Sequence, residues 1–172
     1  MVDLFGQVLR EVLNSDKDLL MHGGQSVITK FDPSKIQGGS RATLGYGVYF
    51  SDSIHKAKDY GPVLTYLDPS KLNILDTRDD VTDKFVQSIK ALAGKQTDSF
   101  SSALYGVYAN KLKSQEGRSI DDAVKNMFSE FKHAQEKNWA SMLIDLGYDA
   151  TKNGYEYVIF NFEKADQALV NK

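Results

Sequence analysis

The sequence predicts an α+β domain, and three observations carry that prediction. Runs of strand type lie towards both ends of the chain, apolar stripes at helical spacing occupy its middle, and segments rich in glycine, proline and serine punctuate both. In order along the chain, Val2, Phe5, Val8, Leu9 and Val12 form a helical stripe. Residues 18–24 then read as a short strand running into a glycine turn, with His22 where the strand stops. Residues 26–43 hold Pro33, Gly38, Gly39 and three serines and read as a long loop. Residues 44–50 form a glycine-punctuated strand, after which Ser51 or Asp52 caps a short helix to Tyr60, stopped by Gly61 and Pro62. Residues 63–67 and 72–75 are short strands on either side of a turn at 68–71.

The middle is helical. Ser119 opens one helix with a variant capping box, and Ile120, Val124, Met127, Phe128 and Phe131 form its apolar stripe. Trp139, Met142, Leu143 and Leu146 repeat the pattern until Gly147 ends it. Residues 155–162, aromatic and β-branched with period-two alternation, close the reading as a strand. No internal repeat or low-complexity tract interrupts the chain.

With 172 residues, 41% hydrophobic and 26% charged, the chain has the size and composition of one globular domain over residues 1–172, neither disordered nor fibrous. Its 21 basic and 23 acidic residues lack the basic excess that phosphate-backbone binding usually leaves. The absence of cysteine removes disulfides, thiolate metal sites and cysteine nucleophiles. Asp3, Arg10 and Glu11 do not fit a signal peptide, and no apolar run approaches the roughly 20 residues of a membrane helix. The expectation is a soluble protein, cytoplasmic in the producing or a target cell, with no membrane partner. The chain is equally compatible with a domain excised from a longer polypeptide.

Common catalytic patterns fit poorly. Gly45 and Gly47 lack the third glycine and long helix of a dinucleotide fold, and residues 38–42 echo a nucleophile elbow without a strand feeding it. His22, His55 and His133 lie far apart without metal-ligand spacing, so no metal is expected. Two features stand out. Tyr49 and Tyr60 straddle a strand-to-helix junction and either close on one side of a slot or serve as core aromatics. In the last strand, alternation puts Glu156 on the face of Val158 and Phe160, where a carboxylate is either functional or must find a partner, because burying it unpaired is costly.

His22 and Gly23, then the run Gly45 to Asp52, then Glu156 to Phe160 together resemble the ADP-ribosyltransferase superfamily, in the His-Tyr-Glu branch shared by diphtheria-type toxins and poly(ADP-ribose) polymerases. The connecting text is similar as well: Lys30, Phe31 and Asp32; residues 57–61; and residues 146–149. In style it is closest to domains of phage polyvalent proteins and bacterial toxins or effectors. The resemblance spans residues 17–76 and 138–168 and implies a split, strongly bent β-sandwich with an NAD cleft and a helical middle segment that carries no motif. It assigns His22 to the adenine-side ribose hydroxyl, the Gly23 backbone to the nicotinamide carboxamide, and Tyr49 and Tyr60 to the nicotinamide ring. Glu156 becomes the catalytic residue.

The implied activity is NAD-dependent mono-ADP-ribosyl transfer, releasing nicotinamide, to a protein or nucleic-acid acceptor. An immunity protein or antitoxin is a partner such a toxin implies. The alternatives are an NAD glycohydrolase using the same residues and an inactive module that binds NAD or ADP-ribose. Gly24 and Ala57 stand where a polymerase carries serines, which shifts nicotinamide binding towards backbone groups. Gly154 excludes the paired glutamates of arginine-specific toxins, and residues 151–154 read as a polar loop suited to acceptor docking.

Overall fold

The computed structural model describes residues 18–36, 45–128 and 134–170. The N-terminal stripe, the 38–42 segment, Leu44, Phe131 and His133 therefore lie outside the described residues. Six strands form one mixed sheet in the order β3-β1-β2-β6-β5-β4, with β1 at Leu20–Gly24, β2 at Val48–Ser51, β3 at Val63–Leu67, β4 at Ile74–Asp76, β5 at Ala150–Asn153 and β6 at Glu156–Ile159. Only β4 and β5 run parallel. The helices among the described residues are α1 Ile54–Lys58, α2 Asp83–Lys95, α3 Ser99–Lys113, α4 Ile120–Phe128, α5 Ala134–Asp145 and α6 Phe162–Ala168. The α+β class expected from the sequence holds. No helix among them is long and apolar enough to cross a membrane.

Register fixes the two faces, because directly paired residues point the same way. Met21, Ser51 and Glu156 form one row, and Tyr49, Val158, Thr151 and Leu75 form the next row on that face. Leu20, Phe50, Tyr157 and Ile159 take the opposite face and pack with Phe31 and with Ala165 and Ala168 of α6. The first face reaches the helical layer through Leu75 and Phe160. With both faces covered, residues 157–160 are all buried, which is why this stretch reads as an unbroken aromatic and β-branched run.

The helical layer has its own aromatic centre. Tyr108, Phe128 and Trp139 meet edge to face in all three pairings, with ring centroids 5.8–5.9 Å apart, the arrangement the aromatic quadrupole favours. The Tyr108 hydroxyl donates to Gln135 Oε1 and the Tyr105 hydroxyl to Asp145, tying α3 to α5.

Several boundaries differ from the sequence reading. Strand β2 begins only at Val48, because Gly45 and Gly47 hold φ of 102° and 153° before it. Helix α1 is preceded by Ser53, since Ser51 is the buried last residue of β2 and its Oγ accepts from the Ser53 N–H. Residues 151–153 form strand β5 rather than a loop, and the turn is a two-residue hairpin of Gly154 and Tyr155. The final strand ends at Ile159, and Asn161 then caps α6 through its side chain. Ser119 does cap α4, accepting from the Asp122 N–H at 3.2 Å.

One backbone contact positions α1 over the sheet. A Cβ on Gly23 would lie 1.8 Å from the Ala57 carbonyl oxygen, and one on Gly61 would lie 2.4 Å from the Gly24 carbonyl oxygen. The strand end and the helix therefore touch backbone to backbone, which only glycine allows. Gly23→Ala is expected to cost about 3 kcal/mol by overpacking, whereas Gly106→Ala, in α3 with no atom within 4 Å of its new Cβ, gains about 0.5–1 kcal/mol. Urea denaturation of the two variants checks both signs.

Candidate active site

The sheet opens between β1 and β2. These strands share a single register pair, Met21 with Ser51, whereas β1 pairs with β3 along its whole length and β2 with β6 likewise. Beyond the single pair, a side chain replaces the ladder: His22 Nδ1 lies 2.7 Å from the Tyr49 carbonyl oxygen. A carbonyl can only accept, so Nδ1 carries the proton and donates. The imidazole is thereby held in one tautomer, with Nε2 left as an acceptor. Burial pushes the His22 pKa below its ordinary value, against the opposing pull of the Tyr49 carbonyl, and keeps the ring neutral. A Cβ on Gly24 would stand 3.4 Å from Nε2, so the glycine keeps that acceptor uncrowded.

On this side of the opening lies a cavity of about 420 Å³, walled by His22, residues 26–32, Lys35, Ile36 and residues 47–49. The wall is anchored at both ends. Ile28 N–H donates to Thr65 Oγ1 at 2.8 Å, and Phe31 N–H donates to Asp166 at 2.7 Å while its ring stacks on Phe162. The Lys30, Phe31 and Asp32 run is therefore a folded wall with two lysines at the cavity, a role its sequence did not disclose. The 3-10 turn Pro33–Lys35, capped by Asp32, gives the loop its local order.

Tyr49, Tyr60 and Glu156 gather on the other side. Tyr49 is a diagonal neighbour of Glu156 on one sheet face, since Tyr49 pairs with Val158 and Ser51 with Glu156. The Tyr49 hydroxyl folds back to the Gly45 carbonyl at 3.0 Å. Tyr60, just after α1, is 61% exposed. Partial burial, then the Glu156 negative charge and a hydrogen bond to that carboxylate, raise the Tyr60 pKa. The sequence argument for Glu156 assumed burial among Val158 and Phe160. Glu156 is instead half-buried at the start of β6, partnered by Tyr60 and open to the surface.

Strand parity places the His22 side chain on one sheet face and those of Tyr49 and Glu156 on the other, so a single ligand reaches all three only by passing through the opening between β1 and β2. Gly23 and Gly24, at the end of β1, are packed against Ala57 and Gly61. Ala57 and Gly61 complete the site in a way the sequence hid. Their small size lets α1 dock on the two glycines and carry Tyr60 to Glu156, a signal legible only as two small residues four apart. His55 is exposed on α1, and no group of metal-ligating side chains occurs among the described residues. Comparison with protein families, with curated proteins and with solved structures finds no match to this chain.

Because the folded pKa of His22 is lowered, the unfolded chain binds the histidine proton first as pH falls. Its stabilising effect is complete above about pH 6.5, the ordinary histidine value, and is lost as pH falls below that value towards the depressed folded one. Melting temperatures measured from pH 8 to 5 are expected to decline below the histidine range in the wild type, and less steeply in His22→Asn.

Proposed function

We propose that the protein is an NAD-dependent mono-ADP-ribosyltransferase, with the opening between β1 and β2 as its NAD cleft. The observation that carries this reading is that the four residues named by the resemblance gather at the junction of β1 and β2, His22 on one sheet face and Tyr49 and Glu156 on the other. His22 donates to the backbone carbonyl of Tyr49, and Tyr60 stands close enough to Glu156 for that carboxylate to add to burial in raising its pKa. The six-stranded sheet, joined there by one pair, suits a split and bent sandwich whose halves are β3-β1 and β2-β6-β5-β4.

The chemistry of each group fits NAD. His22 Nε2, unprotonated and facing the cavity, accepts a hydrogen bond from the adenine-side ribose hydroxyl. Lys30 and Lys35 bring positive charge to the same cavity, which also holds the Asp32 carboxylate bonded to Ser34, and a pyrophosphate would pair with the two lysines. Tyr49 and Tyr60 offer ring faces to a cationic pyridinium, which aromatic faces attract, and the resemblance gives the carboxamide to the Gly23 backbone, which in this fold is buried against Ala57 and Gly61. Glu156 accepts from a hydroxyl of the nicotinamide-side ribose and opposes the positive charge that develops as the glycosidic bond breaks. Tyr60 stands beside that carboxylate, whose charge adds to burial in raising the Tyr60 pKa. The C1′–N bond to nicotinamide breaks, a bond from C1′ to the acceptor nucleophile forms, and the acceptor's proton leaves.

Glu156 is half-buried, so water also reaches it, and with water as acceptor the same residues make an NAD glycohydrolase. Glu156→Gln keeps size and hydrogen bonding while removing the charge. It is expected to melt within a degree or two of wild type and to bind NAD within a fewfold, but to release nicotinamide about 100-fold more slowly or worse. Near wild-type release would remove Glu156 from the mechanism. With radiolabelled NAD, label on macromolecules indicates transfer and label only in free ADP-ribose indicates hydrolysis. NAD binding without any nicotinamide release would leave a binding module.

A further inference from the structure

An exposed surface beside Glu156 is used by none of the steps above. The tip of the β5–β6 hairpin presents Tyr155, 46% exposed, directly before Glu156. Two-residue loops hold their strands tightly, and Gly154, with φ of 63°, supplies the backbone geometry such a turn requires. The Tyr155 carbonyl accepts from the Asp52 N–H at 3.2 Å, locking the tip to the segment that leads into α1. Lys56 of α1 places its ammonium 5.5 Å from the Tyr155 ring centre. His55 and Lys58 are exposed on the same short helix, which carries no carboxylate from residue 54 to 58. Acids flank the helix on both sides: Asp52, whose carboxylate lies 3.5 Å from the Tyr157 hydroxyl, and Asp59.

From this arrangement we infer that the acceptor is single-stranded nucleic acid, with a base stacked on Tyr155 and the adjoining phosphate on Lys56. An ammonium beside a solvent-facing aromatic ring is the pairing that single-strand binders use, because any base has a face to stack and every linkage has a charge to neutralise. An acidic peptide would satisfy Lys56 but would leave the ring without a matching planar group. Duplex nucleic acid hides its base faces and would not reach the ring. With Asp52 and Asp59 flanking α1 and the whole chain near neutral, Lys56 supplies one phosphate contact and the stacked base carries most of the binding. The inference rests on the proposed activity for its chemistry. The C1′–N bond to nicotinamide breaks, C1′ bonds to a ring or exocyclic nitrogen of the stacked base, and the proton of that nitrogen passes to water.

The test has a binding arm and a transfer arm. Fluorescein-labelled 12-nucleotide DNA and RNA oligomers of mixed sequence, single-stranded and duplex, are titrated with the full chain by anisotropy, with and without 0.5 M NaCl. Single strands are expected to bind best, more weakly in salt, with about tenfold loss in Tyr155→Ala and a smaller loss in Lys56→Gln. In the second arm, radiolabelled NAD and the same oligomers are expected to give labelled oligomer, reduced in Tyr155→Ala while nicotinamide release in the absence of acceptor stays near wild type. Nicotinamide release with no oligomer bound or labelled, or with label on protein alone, overturns the inference and leaves the proposed activity standing. Oligomer binding that depends on Tyr155 without any nicotinamide release upholds the surface and overturns the activity.

Discussion

The hydrogen bond from His22 Nδ1 to the Tyr49 carbonyl is the interaction on which the rest of the site depends. A fully paired β1 and β2 would lie about 4.8 Å apart and leave no passage between them. Parting after one residue pair creates the passage but leaves strand backbone groups in need of partners, and a buried carbonyl left unpaired is costly. The imidazole supplies one such partner and bridges the gap with a side chain instead of a ladder. The same bond uses the only proton of a neutral ring, so it also decides that Nε2 accepts. One contact thus holds the opening, fixes the tautomer and sets the polarity of the cavity.

A second constraint brings the opposite wall into place. Ala57 and Gly61 press on Gly23 and Gly24 with no side chain between them, so α1 sits closer to the sheet than an ordinary helix could. At that distance Tyr60 reaches Glu156, and Lys56 reaches Tyr155. The glycines of β1 thus serve the close docking of α1. Ala57 is itself 1% exposed, so its small side chain suits a buried position beside this contact.

The helical layer is stabilised separately. Its edge-to-face triad and the Tyr105 and Tyr108 hydrogen bonds join helices distant from the opening. Burial raises the Tyr108 pKa to about 12 and, with Asp145 adding to burial, pushes Tyr105 higher still, so both hydroxyls stay protonated donors throughout the stable range. Through Leu75 and Phe160 this layer covers the face on which Glu156 lies and keeps β6 rigid up to the residue where chemistry would begin.

Features governed by neighbours along the chain were legible in the sequence. Strand β3 falls at residues 63–67 as its apolar run indicates, Ser119 caps α4, Gly147 ends the segment after α5 with φ of 93°, and alternation put Glu156 on the Val158 face. Those features depend on periodicity, capping and glycine torsions, which act over a few residues. Strand β5 was missed because Thr151, Lys152 and Asn153 are polar and carry no strand pattern of their own. They become a strand only because β4 and β6 pair with them from either side. The opening in the sheet, the 27-residue reach of His22 to Tyr49 and the 135-residue reach of Phe31 to Asp166 were decided by tertiary structure alone. No local propensity encodes where a ladder stops pairing; that depends on which distant groups arrive to satisfy the backbone it leaves open.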